Sequence, residues 1–274
     1  MKLRVKRPSP GLVALAALLI AFAGGSLIRT GFGIDGPHPV QRLLAENEPE
    51  EHIRAVTLSA DELILATEKG LIAQSGRRWF RVASAQGAFY TAAPLGQRLF
   101  LGGPQGLFAW DTKLTKLSDQ SPGLLAAGAG RIVGLTPGAL VESTDGSQWT
   151  QLSEPPAGSY FSLAVHPTDK SQVYLGGRDV VLYSMDGGRT WQRSDGLTGD
   201  VSAILPDPKT PDLVYALAGG RLWYSLTGGT TWLRSVQRNS DQIFVHLALS
   251  SDPKSGLVGV TSDGLVVEQL NEPK

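Results

Sequence analysis

Ser184-Met185-Asp186-Gly187-Gly188-Arg189-Thr190-Trp191 is a tight polar turn leading into a tryptophan, and the chain carries it more than once. A near copy, Ser225-Leu226-Thr227-Gly228-Gly229-Thr230-Thr231-Trp232, starts 41 residues later. A shortened copy, Ser143-Thr144-Asp145-Gly146-Ser147-Gln148-Trp149, starts 41 residues earlier. One turn recurring at about forty residues marks a repeat architecture. Its chemistry is local. Ser and Asp side chains bond nearby backbone amides and fix a turn. Gly188 and Gly229 permit the backbone it needs, and Trp149, Trp191 and Trp232 supply large rings to bury.

Working outward from these turns, the same order of apolar runs and turns repeats six times from about residue 53. The second run of each unit, with the turn after it, reads ELILATEKG (62–70), RLFLGGPQG (98–106), RIVGLTPG (131–138), QVYLGGRD (172–179), LVYALAGG (213–220) and GLVGVTSDG (256–264). The third runs are LIAQS (71–75), LFAW (107–110), ALVES (139–143), VVLYS (180–184), RLWYS (221–225) and LVVEQ (265–269). They are short, apolar and rich in β-branched or aromatic residues, which predicts strands. Four short strands per unit, a polar turn and a tryptophan describe a β-propeller blade. The expected fold is all-β, a propeller of about six four-stranded blades, with one N-terminal apolar helix. A two-sheet sandwich leaves the fixed order of turns unexplained.

The sixth unit ends soon after its third run, at Lys274. Propellers protect their edges, so a strand borrowed from the N-terminal side is expected to close the ring. Val40–Ala45 is the natural donor, pairing with Leu265–Leu270.

Residues 1–30 read as a targeting element. Lys2, Arg4, Lys6 and Arg7 precede an eighteen-residue uncharged run, Gly11–Ile28, that includes Leu12, Leu15, Leu18, Leu19, Ile20 and Phe22. This is a signal anchor or a signal peptide. The length approaches a membrane span, whereas Ala21-Phe22-Ala23 fits a cleavage site. Either way the basic end stays cytoplasmic, and the propeller lies on the periplasmic, lumenal or extracellular side, or is secreted after cleavage. Residues 31–52 form a linker with the candidate ring-closing strand, broken by Gly31, Gly33, Gly36, Pro37 and Pro39. Its acidic run, Glu46, Glu48, Glu50 and Glu51, reads as a solvated face. Residues 53–274 form the propeller.

Composition narrows function. The chain has 25 basic and 25 acidic residues, and four of the basic ones sit at the extreme N-terminus. The remaining body is mildly acidic, which argues against nucleic acid as a partner. Cysteine is absent, so disulfides and thiolate chemistry are excluded. His38, His52, His166 and His246 are scattered with no metal-binding spacing, and no cofactor motif is present. His166-Pro167 reads as a structural strand-to-turn junction. Asp61, Asp111, Asp200, Asp241 and Glu142 are the carboxylates available for glycoside hydrolysis, and most sit in turns.

The pattern Ser-x-Asp-x-Gly-x-x-Trp resembles the Asp-box, or BNR repeat, of sialidases, sortilin-type receptors and Ycf48-like photosystem assembly factors. The segments Leu163–Pro167 and Ile204–Pro208, each leading to the next apolar run, extend the likeness, which is specific over residues 157–235 and degenerate over 53–156. The resemblance implies structural roles for Ser143, Asp145, Trp149, Ser184, Asp186, Gly188, Trp191, Ser225, Gly229 and Trp232, on a rim hairpin away from any catalytic centre. It leaves no catalytic residue, because the arginine triad and the opening Arg-Ile-Pro of sialidases have no counterpart. Anchor plus propeller is the layout of Ycf48-like proteins. Those have seven blades and often a lipid-anchoring cysteine, whereas six units and no cysteine are found here. The expected function is a non-catalytic, membrane-tethered scaffold or assembly factor, contacting a membrane protein complex through the propeller and the lipid bilayer through the N-terminal helix. The alternative is an exported glycan-binding or glycoside-hydrolase-like propeller, with Trp79, Phe80, Phe89 and Tyr90 as candidate sugar-stacking rings, although packing between blades accounts for them better.

Overall fold

The computed structural model describes residues 52–59, 62–75, 78–235, 243–249, 257–261 and 266–270, which are all-β. The first sheet contains β1 (Ile53–Ser59), β2 (Glu62–Thr67), β3 (Gly70–Ser75) and β4 (Arg78–Gln86). The second contains β5 (Thr91–Leu95), β6 (Arg98–Gly103), β7 (Gly106–Trp110) and β8 (Leu114–Ser118). The third contains β9 (Leu124–Gly128), β10 (Arg131–Thr136), β11 (Ala139–Ser143) and β12 (Thr150–Ser153). The fourth contains β13 (Tyr160–Val165), β14 (Val173–Gly177), β15 (Val180–Ser184) and β16 (Gln192–Arg193). The fifth contains β17 (Val201–Pro206), β18 (Val214–Ala218), β19 (Arg221–Ser225) and β20 (Leu233–Arg234). The sixth contains β21 (Phe244–Leu249), β22 (Leu257–Thr261) and β23 (Val266–Leu270).

Every sheet is an antiparallel meander in sequence order. The first strands neighbour one another in succession, and β21 lies beside β1, so the six sheets form a closed ring of blades. Five blades have four strands; the sixth has three among the described residues. The proposed donor Val40–Ala45 and the N-terminal apolar run, from Leu12 to Phe22, lie outside the described residues.

The core is not one cluster but six, one at each boundary between adjacent blades. Each middle strand is pressed on both faces, which is why β14 and β18 read as unbroken apolar runs and are buried at every position. Tyr174 and Tyr215 are among the largest fully buried side chains. Burying a side chain of this size contributes roughly 1.5–3 kcal/mol.

The turns between second and third strands need a left-handed residue. Gly138 supplies it with φ 84°, and Asp179 holds the same place in the fourth blade with φ 51°. Meander topology puts these turns and the blade-to-blade connections on one face of the ring. The turns joining first to second and third to fourth strands lie on the other, here called the motif face because the Ser-to-Trp turns are there.

Candidate binding face

The three motif turns occupy the same place in three successive blades. Ser143, Ser184 and Ser225 each end a third strand, paired with Ile132, Val173 and Val214 near the start of the second. In the full copy, the Ser184 hydroxyl accepts from the Gly188 amide at 2.8 Å and donates to Asp186 Oδ1 at 2.7 Å. Asp186 Oδ1 also accepts the amides of Arg189 (3.0 Å) and Thr190 (2.9 Å), and Oδ2 accepts the Thr190 hydroxyl at 2.6 Å. The Thr190 contacts foremost, with those of Ser184 and Arg189, hold this carboxyl far below the usual carboxylate range. Asp145 is held equally low, chiefly by Ser147 and then the Gln148 amide. In the third copy the Thr227 hydroxyl replaces the carboxylate. It accepts the Thr231 amide at 3.1 Å, while Ser225 accepts the Gly229 amide at 2.9 Å.

These turns also lock adjacent blades together. A β carbon on Gly146 would meet Leu117 and Phe100 at 2.7 and 2.8 Å; on Gly188 it would meet Leu140 at 2.5 Å; on Gly229 it would meet the Tyr174 ring at 2.7 Å. In every case the obstructing side chain belongs to the preceding blade. Two polar links reinforce the seating. The Tyr174 hydroxyl proton is shared between Gln172 Oε1 at 2.8 Å and the Gly228 carbonyl at 3.2 Å. Buried Arg131, paired with Glu142 at 2.5 Å, donates to the Gly187 carbonyl at 3.4 Å and the Lys170 carbonyl at 2.6 Å. The tryptophans differ. Trp149 donates to the Gly146 carbonyl at 3.0 Å and Trp191 reaches the Ser153 hydroxyl at 3.4 Å, whereas Trp232 is buried with its indole N–H unpartnered among the described residues.

The opposite face is built differently. Between the third and fourth blades it holds a groove of about 410 Å³ with an uncharged lining. One wall is the turn Thr136-Pro137-Gly138, the other is Pro155-Pro156-Ala157-Gly158, and Leu124 and Leu135 line it further. Tyr160 closes one end, its hydroxyl donated to the Pro156 carbonyl. Burial pushes the Tyr160 phenol up, so the ring remains a neutral donor.

Nearer the ring axis on the same face, the innermost strands carry a recurring irregularity. Pairing skips Arg54 in β1, Phe161 in β13, Ser202 in β17 and Val245 in β21, in each case the second residue of the strand. A bulge re-aims the extra side chain, and Arg54, Phe161 and Ser202 are exposed. Arg54 pairs with Glu68 at 2.5 Å and lies over the Tyr90 ring, 5.5 Å from its centroid. Burial opposes ionisation of Glu68, but the His52 amide and Arg54 outweigh it and hold the carboxyl below its usual value.

Of the carboxylates named from sequence, Asp111 sits in a motif-face turn bonded to the Thr112 and Lys113 amides. Asp200 is on the opposite face, 3.5 Å from Arg178, and Glu142 is paired with Arg131. Asp61 and Asp241 lie outside the described residues. No facing carboxylate pair is formed by the three described. His166 is buried and its Nδ1 accepts the amides of Thr168 (3.3 Å) and Asp169 (3.1 Å), which caps its turn. No cluster of three or more His, Asp or Glu suited to a metal ion occurs among the described residues. Among those residues no helix is long and apolar enough to cross a membrane. Of the candidate sugar-stacking rings, Phe89 is fully buried against Phe108, Trp79 packs into a blade boundary, and Tyr90 stays exposed. Sequence reasoning missed the groove and the bulges. The Pro155-Pro156 pair, inside a blade connection, was the available signal for the groove.

No protein-family model matches the sequence, and no curated protein matches it. The fold is similar to that of an extracellular domain from B. thetaiotaomicron, part of a one component or hybrid two component system, with TM-score 0.58 and 15% identity. That match covers 81% of this chain but 33% of the other, so the chain spans about a third of that protein's length. The fold is also similar to Ycf48 bound to a D1 peptide (TM-score 0.52, 16% identity, 81% of this chain and 95% of that one). A chain of a mitotic checkpoint complex is similar too (TM-score 0.54, 13% identity, 78% of this chain and 73% of that one). At these identities the likeness is one of fold.

Proposed function

We propose that the protein is a non-catalytic β-propeller scaffold, tethered to a membrane by its N-terminal apolar segment, that holds a peptide segment of a membrane protein complex on the face opposite the motif turns. The observation that carries this reading is the division of labour between the two faces. The motif turns are occupied by inter-blade packing. The other face keeps an uncharged groove, walled by Pro137, Pro155 and Pro156 and ended by Tyr160. Grooves lined by aromatic rings and proline suit peptide segments bound in an extended conformation. Ycf48 bound to a D1 peptide shares the fold, which supports the reading by analogy of fold alone. The turn chemistry of Ser184–Trp191 supports kinship with Asp-box propellers.

The test is affinity recovery of the tagged full chain from detergent-solubilised native membranes. Stoichiometric co-purification of an integral membrane complex, reduced at least tenfold by Tyr160→Ala with an unchanged melting temperature, is the expected result. A monodisperse free protein that binds or cleaves glycans on an array would overturn it in favour of an exported carbohydrate-active propeller.

A further inference from the structure

The apolar groove is a gap where other blades make a bond. In the first blade the turn between second and third strands accepts two amides of the outgoing connection, Gly87 onto the Lys69 carbonyl at 3.5 Å and Phe89 onto the Thr67 carbonyl at 2.8 Å. In the fourth blade the Asp179 amide donates to the Gly199 carbonyl at 3.2 Å, and the Gly199 amide donates to Asp179 Oδ1 at 2.6 Å. Arg178 and Asp200 form an antiparallel bridge beside them. In the fifth the Gly220 carbonyl accepts the Phe244 amide at 3.2 Å. In the second the Ser118 carbonyl comes so close to the turn that a β carbon on Gly106 would meet it at 2.1 Å. The third blade departs from this. Among the described residues no hydrogen bond links Thr136, Pro137 or Gly138 to residues 154–159. A β carbon on Gly138 would meet nothing within 4 Å, and the space between turn and connection is the groove of about 410 Å³.

Proline accounts for the gap and determines what fits it. Pro137, Pro155 and Pro156 take three N–H donors out of the facing walls and leave their carbonyls. The Pro156 carbonyl is engaged by the Tyr160 hydroxyl, and those of Pro137 and Pro155 accept no hydrogen bond among the described residues. The main chain of the walls is therefore rich in acceptors and suits a ligand that brings N–H donors. None of the lining residues is charged. A charged side chain or a terminal carboxylate would find no partner there, and burying one unpaired is costly. A ligand without donors would displace water from the carbonyls and put nothing in its place. An extended main chain with neutral side chains meets both conditions.

We infer that the groove takes an uncharged internal stretch of a partner polypeptide, extended and bound through its main-chain N–H groups, as the bridge that the third blade lacks. This rests on the peptide-holding reading above and specifies the segment: away from either terminus, without charged side chains, and otherwise tolerant in sequence. The tolerance follows because main-chain bonds carry affinity without reading side chains. At the end that Tyr160 closes, the segment lifts out over the Tyr160 ring.

The probe is the capped neutral peptide acetyl-TVAVT-amide, titrated by calorimetry into the full chain in detergent, where it should bind. Replacing each of the two central amides in turn by an ester removes one N–H without adding bulk. One or both esters should bind about three- to tenfold more weakly. The same sequence with a free C-terminal carboxylate, or with Asp in place of the central Ala, should lose at least about tenfold. On the protein, Gly138→Asp should weaken the capped peptide at least about tenfold. It should leave the melting temperature nearly unchanged, since Asp179 already holds the left-handed conformation at the matching place. Esters that bind as well as the amide would overturn the inference. So would the absence of heat up to about 1 mM peptide; if Tyr160→Ala still releases the membrane complex, the peptide-holding reading then stands without it. Heat from maltohexaose that Gly138→Asp abolishes, with none from the peptide, would assign the groove to a glycan and overturn both. A free chain that dimerises, and is returned to monomers by Gly138→Asp, would assign the groove to a second copy and overturn the inference.

Discussion

The Tyr174 hydroxyl proton is shared between Gln172 Oε1 at 2.8 Å and, across a blade boundary, the Gly228 carbonyl at 3.2 Å, and the Tyr174 ring fills the space where a β carbon on Gly229 would lie. One side chain thus reads both glycines of the neighbouring turn. Gly229→Ala should cost about 2–4 kcal/mol, combining a strained left-handed backbone with overpacking. Tyr174→Phe keeps the ring and should cost about 1 kcal/mol for the lost hydrogen bond. Urea unfolding monitored by tryptophan fluorescence measures both.

The carboxylates of Asp145 and Asp186 make an acid limb. Each has its folded pKa depressed below its unfolded value. Each therefore contributes stability that is present above the unfolded carboxylate range, about pH 4, and is lost as pH falls through the folded value. Asp186→Asn should flatten stability against pH below about 4 and leave the profile near neutrality parallel to that of the parent. Because the turn is solvated, screening keeps the loss small at pH 7.

Thr227 provides the converse experiment. Thr227→Asp restores a second acceptor oxygen to the third turn. It should raise the midpoint of urea unfolding at pH 7, with the gain shrinking progressively as pH falls below about 4, the unfolded carboxylate value. An unchanged midpoint at pH 7 would show that one hydroxyl oxygen already satisfies that turn.

His246 sits at the junction of the sixth and first blades, its Nε2 3.1 Å from the Ile53 carbonyl. Burial pushes its pKa down, and the bond to Ile53 only partly offsets this. The neutral ring is therefore favoured by folding. Its contribution is complete above the unfolded value of about 6.5 and is lost as pH falls through the lowered folded value. His246→Gln, which cannot be protonated, should lessen the fall in melting temperature as pH drops below about 6.5. Scanning calorimetry at neutral and mildly acidic pH checks it.

Much of this architecture is written in the sequence, because a blade buries its middle strands on both faces. LVYALAGG and QVYLGGRD read as unbroken apolar runs ending in a left-handed residue, and β18 and β14 lie there. The roles of Ser184 and Asp186 within their own turn were legible for the same reason: they act over four residues. What their glycines touch was not legible, since Leu140 and Tyr174 come from another blade and from strands of differing register. The bulges at Arg54 and Phe161 were hidden because one extra residue in a strand leaves no compositional mark. Phe89 packs between blades, the more favoured of the two readings its sequence position left open. Its neighbour Tyr90 stays exposed, while Phe89 turns inward onto Phe108.

The six separate boundary cores have a bearing on how the ring opens. At five boundaries a covalent connection of a few residues holds the two neighbours at high effective concentration, so a parted pair recloses at once. Between the sixth blade and the first, the described residues offer the packing of Leu63, Leu65, Ile72, Ala248 and Val260, with Ile53, Val56, Trp79 and Val258 against them, and the bond from His246 to Ile53. That boundary is the ring's latch. Lifting it leaves an arc of otherwise intact neighbours, and hydrogen exchange should begin there while the strands around Tyr174 are still protected.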